Sequence, residues 1–316
     1  MLTRSHHFRC YTVLFFLLMS CAHSIDTNQM SISQIIEGCA KGELRKDCDQ
    51  LLKIGSPTIP VAIKSLSHSD PRVRKFSMTY LYSNLSYNPV VLTDIKPDIE
   101  KLVATLHPIL MEKFDDDSED VRRRAPPLLT LIAIQSGNKA IQSKIISSQI
   151  EALMNDNDNI RIGAARTIAK LSEHFEVPIN PILGGMKDQN SEVRQLMARS
   201  IASMYGNGKM RLEDFQDAIP ILKRALEDRD QNVRHWVAIA LESIDPDSEE
   251  AIPFLVECFQ SEDDYVISDA FRTLQIMGPR AKSAIPALEQ LLDHPKYRIR
   301  AVAELTLKAI KSKRLH

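Results

Sequence analysis

A two-residue signature recurs along this chain in step with a proline, and that double period leaves few folds open. A β-branched anchor follows an Asp- or Asn-rich turn at Val73, Val121, Ile160, Val193, Val233, Val266 and Ile299, at spacings of 48, 39, 33, 40, 33 and 33. Six anchors are followed by arginine, namely Arg74, Arg122, Arg161, Arg194, Arg234 and Arg300; Ile267 takes that place in the sixth unit. Thirteen residues before the anchor stands Pro60, Pro108, Pro220, Pro253 or Pro286, with Ser147 and Asn180 in the other two units. A period of roughly 20–50 residues marks an array in which each unit buries its apolar face against its neighbours.

The local physics of one unit is a helix pair. Proline is tolerated in a first helical turn, where its missing N–H has no partner to lose. A short helix such as Ile285-Pro-Ala-Leu-Glu-Gln-Leu-Leu292 follows, then a turn such as Glu227-Asp-Arg-Asp-Gln-Asn232. Asp and Asn favour turns and cap helix N-termini. The anchor then opens a second helix, in which Val233, Val237, Leu241 and Ile244 are apolar at helical spacing. Small residues four or five places after the anchor, Ala164, Ala165, Ala198, Ala238, Ala270 and Ala303, allow close helix approach. Composition agrees: aromatics are 6% and glycines number 10, where strand-rich folds need more of both. The formal net charge of −1 argues against a general nucleic-acid binder.

These pairs resemble HEAT repeats, especially the short variety named after phycobilisome lyases, over roughly residues 57–312. The resemblance implies an all-α, right-handed α-solenoid of about seven helix pairs, with the Val-Arg helices on its concave side. It also implies a ladder of turn aspartates and arginines between neighbouring repeats. Its candidates are Asp70 with Arg74, Asp117 with Arg122, Asp156 with Arg161, Asp188 with Arg194, Asp228 with Arg234 and Asp293 with Arg300. Two stretches break the regularity. Residues 84–105 read as a loop plus an extra helix, and residues 206–216 lengthen a connection around Gly206 and Gly208. The expected organisation is a signal at 1–20, a tether at 21–30, capping helices at 31–56 and the solenoid at 57–316.

The N-terminus reads as an export signal. Arg4 and Arg9 precede an apolar run from Tyr11 to Ser20, which as a helix spans only about 15 Å, half a bilayer core. Leu18-Met-Ser-Cys21 resembles the lipobox of bacterial lipoproteins, with Cys21 as lipid acceptor and the membrane reached through that lipid; Ala22-His-Ser24 offers an ordinary small-x-small cleavage site. The expected location is the bacterial cell envelope, or outside the cell. In an oxidising compartment Cys39 and Cys48, nine residues apart, are a candidate disulfide. Cys258 lies in the apolar run Phe254-Leu-Val-Glu-Cys-Phe259 and reads as a buried small hydrophobe.

Chemistry is sparse. Asp156-Asn-Asp-Asn159 starts like a calcium loop but continues with Ile160 and Arg161 where a ligand and a glycine are needed. No two histidines of the mature chain share helical i, i+3 or i, i+4 spacing, so no metal site is expected. The resemblance brings two enzymatic alternatives, a phycobilin lyase and a deoxyhypusine hydroxylase. Export speaks against the first, and the absence of a His-Glu dipeptide against the second. The expectation is a scaffold that is not an enzyme, carries no cofactor and binds a protein partner. Six residues after the anchor the Val-Arg helix is expected to face outward. Arg166, Arg199 and Arg272 hold that place, and Ile239 holds it in repeat five, with Trp236 one turn earlier. Arginine and tryptophan are enriched in interaction hot spots, which makes Arg166, Arg199, Trp236 and Arg272 the candidate partner-binding residues.

Overall fold

The computed structural model describes residues 31–43, 51, 56–206, 211–245 and 249–312. The expected signal and tether, with Cys21, and most of the stretch between 44 and 55, with Cys48, lie outside the described residues. Among the described residues every regular element is a helix. None is long and apolar enough to cross a membrane. The described residues fall into two compact units, one of those up to 109 with 116–124, the other of 110–115 with those from 125 to 312.

In the first unit, α1 (Ile32–Lys41) is closed at both ends by its own sequence. Ser31 and Gln34 form a reciprocal capping box, and Gly42 at φ 77° ends the helix in the left-handed region. It packs on α2 (Thr58–Ser65) and α3 (Pro71–Tyr87), the first helix pair. Asp70 caps α3 through the Arg72 amide, with Pro71 at the first helical position. Beyond α3 the expected loop is helical instead. The chain turns at Asn88 into α4 (Pro89–Ile95), a 3₁₀ turn at Lys96–Asp98, and α5 (Ile99–Glu112). Pro108 therefore lies inside a helix and not in a first turn, because the apolar-periodic stretch Leu102-Val-Ala-Thr-Leu106 carries the helix upstream of it. The short α6 (Glu119–Arg122), holding the anchor Val121, completes this unit.

In the second unit the pairs alternate regularly. First helices are α8 (Lys139–Ala152), α10 (Ile179–Gly185), α12 (Ala218–Ala225), α14 (Ile252–Glu257) and α16 (Ile285–Gln290). Second helices are α9 (Asp158–Leu171), α11 (Ser191–Gly206), α13 (Gln231–Ile244), α15 (Asp264–Met277) and α17 (Tyr297–Lys311), preceded by α7 (Ala125–Ser136). Each second helix from α7 to α17 packs on the next, forming a continuous layer, and the first helices lie against it. The anchors Val193 and Val233 and the alanines at 164, 165, 198, 238, 270 and 303 are fully buried in that layer. Asn157, Asn190, Asp230 and Asp263 cap α9, α11, α13 and α15 through the amide two residues on. The expected irregularity after α11 contains a 3₁₀ turn, Leu212–Phe215, whose fully buried Phe215 meets Tyr205 edge-on at 6.0 Å.

Candidate functional site

The arginine after each anchor is occupied by the fold. Its Nη1 donates to backbone carbonyls five and six residues back: His68 and Ser69 for Arg74, Asp116 and Asp117 for Arg122, Asn155 and Asp156 for Arg161, Asp188 and Gln189 for Arg194, His294 and Pro295 for Arg300. Arg234 does so to Asp228 at 2.6 Å. The residue six places back has a second task. Its side chain accepts the amide two residues ahead, as in Asp188 to Asn190 at 2.8 Å and Asp228 to Asp230 at 2.9 Å, which folds the turn. Where that residue is Asp, its carboxylate also receives the arginine of the preceding repeat. Arg74 reaches Asp116 at 2.7 Å, Arg161 reaches Asp188 at 2.8 Å, and Arg194 grips both oxygens of Asp228 at 2.7 and 2.8 Å.

The ladder thus exists, but shifted by one repeat: Asp188 and Asp228 are among the implied carboxylates, yet each receives the arginine of the preceding repeat and not that of its own turn. Asp117, Asp156, Asp188 and Asp228 meet the arginine of their own turn through the peptide carbonyl; Asp70 is a helix cap, and Arg300 binds the carbonyls after Asp293. The reason is register. An arginine side chain at the helix start folds back over its own turn, which leaves its outer edge facing the next repeat. Arg74 and Arg194 are buried, as is Asp116. Burial pushes the Asp228 carboxyl up. The hydrogen bonds from Arg194 and from the Asp230 amide, with the Arg194 charge, outweigh it and leave the group below the ordinary carboxylate value. Where Ser261 replaces the aspartate, Arg234 turns to Glu257. His294 fills the position next to the repeat whose anchor is followed by Ile267 and not arginine.

The residues expected to bind a partner sit on the second-helix layer and are tied into it to different degrees. Arg166 on α9 donates through Nε and Nη2 to Glu192 of α11 at 2.9 and 2.6 Å. Arg199 on α11 reaches back to Glu173 at 3.2 Å and lies over the Trp236 ring of α13 at 5.3 Å. Arg272 on α15 meets only Asp269 of its own helix, at 3.1 Å, and its side chain stays 65% exposed. The stripe is therefore not a row of free cations: at Arg166 and Arg199 neighbouring glutamates offset the charge. Ile239 departs from the expected outward position and is buried. A cleft of about 220 Å³ opens between α15 and α17, lined by Arg272 and Arg298 among others, which the sequence reading did not identify.

One pair has the composition of a catalytic dyad without its chemistry. Cys258 Sγ lies 3.4 Å from His235 Nδ1, and both residues are buried. Burial, then the Glu257 charge, pushes the thiol up to about 12, and burial lowers His235. Thiol and imidazole are both neutral, so no thiolate is poised to attack. Among the described residues no group of three His, Cys, Asp or Glu is placed to hold a metal.

A family model described as HEAT repeats matches residues 179–275, which run from the start of α10 into α15. No curated protein matches the sequence. Among solved structures, a Kap121p mutant is similar with a TM-score of 0.58 at 14% identity, over 88% of this chain and 31% of that one. An engineered protein is similar at 19% identity over 95% of this chain and 78% of that one, with a TM-score of 0.48. A designed armadillo repeat protein is similar at 18% identity over 80% and 99%, with a TM-score of 0.38. The matched family model, the alternating helix pairs and the anchor-arginine turns agree on a helical-repeat fold, with HEAT repeats at residues 179–275.

Proposed function

We propose that this chain is an exported scaffold, lipid-anchored through Cys21, that holds a protein partner on the layer of second helices. One observation carries the reading. Arg166 and Arg199, each six places after its anchor, stand half-exposed on contacting helices, and Arg199 lies over the half-exposed Trp236 of the next one. A solenoid that needed this face only for folding would fill it with small or solvated groups. Here a guanidinium lies over an indole, 5.3 Å from the ring centroid, a contact suited to desolvation against another protein. The Cys258–His235 pair, buried with its thiol pushed up to about 12, offers no rival nucleophile to this surface reading.

The test is cross-linked capture from the native organism, comparing Arg166→Gln with Arg199→Gln against a control on a first helix, Lys144→Gln. Loss of a hot-spot arginine typically costs about 2 kcal/mol, roughly thirtyfold in affinity. The reading expects the two layer variants to lose capture while Lys144→Gln keeps it. Equal capture by all three would move the functional face elsewhere. Export is tested separately by mass spectrometry of the mature N-terminus. A lipidated start at Cys21 supports the anchor, and an unmodified start at Ile25 removes it.

A further inference from the structure

The cleft between α15 and α17 differs from the rest of the layer in its charge balance. Upstream, Arg166 and Arg199 each face a glutamate contributed by another helix pair or its following turn. In the cleft three cations, Arg272, Lys296 and Arg298, stand against one lining acid, Asp264, and Asp269, which meets Arg272 at 3.1 Å outside the lining, leaving an excess of positive charge. Lys296 approaches Asp264 only to 3.7 Å, with both side chains mostly exposed. Arg298 donates to the Ser268 hydroxyl at 3.3 Å. The missing rung of the ladder explains this. Ile267 stands where the other repeats have arginine, and His294 where three of them have aspartate, so this junction lacks the ion pair that Arg74, Arg161 and Arg194 make with those aspartates. What it has instead is an apolar floor of Ile267, Phe271, Ile299 and Val302. Along α17, Leu305 continues the line of Arg298 and Val302 at helical spacing and is 61% exposed.

We propose that this cleft docks a short acidic peptide segment of the partner, with an apolar side chain on the Ile267–Val302 floor and carboxylates on Arg272, Arg298 and Lys296. The inference rests on the protein-binding reading above and names the partner's chemistry. Size decides for a side chain and against a small-molecule cofactor. Ligand pockets usually enclose about 300–1,000 Å³, whereas about 220 Å³ is room for one or two side chains. Charge decides the sign of the segment. The floor decides that it is not a purely polar one.

The probe is a fluorescently labelled nonapeptide of alternating Glu and Asp with a central Phe-Leu pair, followed by anisotropy on the full chain. The double variant Arg272→Glu/Arg298→Glu is expected to bind it at least tenfold more weakly. The charge-matched double variant Lys139→Glu/Lys144→Glu on α8 is expected to bind as wild type does. A peptide with serines for the Phe-Leu pair is expected to lose most of its affinity, and raising salt from 50 to 300 mM should weaken binding, since Debye screening shortens to a few ångströms. Circular dichroism melts of each variant confirm that it folds. A serine peptide that binds equally well, or an anionic vesicle or RNA oligonucleotide that competes as strongly as the peptide, overturns the proposal. So does undiminished binding by the Arg272/Arg298 variant. In that last case capture by the Arg166 and Arg199 variants still decides the scaffold reading on its own.

Discussion

At the scale of single residues, the sequence carried more than its motif. The arginines were legible as structural groups, but their partners were not, because pairing each arginine with an aspartate of its own turn, at varying offsets, misses the carboxylate that the next repeat supplies. The readable signal was the residue six places before each arginine: Asp116, Asp188 and Asp228 hold it where an arginine precedes in the neighbouring repeat. The Arg194–Asp228 pair gives a pH prediction. Asp228 lies below its ordinary value of 3.8 in the folded chain, so its stabilising contribution is full above that value. It is lost as pH falls through the lowered folded value. The stability gap between wild type and Asp228→Asn should accordingly be constant from pH 5 to 7 in urea titrations, and close below about pH 3.8. A gap that widened on acidification would remove the assignment. Cys258 was legible as a buried residue from its apolar neighbours, but its hydrogen bonds to Phe254 and His235 were not. With its thiol near 12, it should resist a thiol reagent at pH 8 in the native protein and react on unfolding, as read by mass shift.

At the scale of elements, the caps and helix pairs followed from local chemistry, and the places where the reading failed are those where tertiary packing overrode it. The 84–105 stretch contains Asn88, Pro89 and Pro97, which suggested a loop; each proline is accommodated at a helix or 3₁₀ start. Gly163 lies inside α9, where a glycine weakens a helix by propensity alone. It is a packing device. A Cβ there would run into the Phe114 ring, which is fully buried against it. Gly163→Ala gains helix propensity of about 1 kcal/mol yet is expected to destabilise by roughly 1–3 kcal/mol through overpacking. A chemical denaturation curve at or above wild-type stability would show that Phe114 yields freely. The capping helix α1 offers a further check. Cys39, on its last turn, is disulfide-bonded; we propose Cys48 as the partner. Peptide mapping without reduction should recover a fragment joining the two. Recovery of Cys48 alkylated as a free thiol would exclude that pairing.

At the scale of the whole molecule, the fold class was legible because one period governed two independent markers, while the function was not, because a repeat array can present many surfaces from one backbone plan. The account's central claim is a division between two arginine registers. Those directly after an anchor join neighbouring repeats, and those six places after the anchor serve the surface. In a quasi-one-dimensional array, removing a join weakens one interface and loosens the coupling across it. Removing a surface group leaves the array intact. Arg194 and Arg272 represent the two registers: the first is buried on Asp228, the second largely exposed beside Asp269. Replacing both by methionine keeps much of the apolar stem and removes the guanidinium. Breaking a buried pair by taking one partner away typically costs about 3–5 kcal/mol, whereas surface changes usually stay within about 0.5 kcal/mol. Urea denaturation of Arg194→Met and Arg272→Met, side by side with wild type, is therefore the most direct measurement. The account predicts a loss of about 3 kcal/mol, with a broadened transition, for Arg194→Met and almost none for Arg272→Met. Equal losses, or a larger one at Arg272, would contradict it.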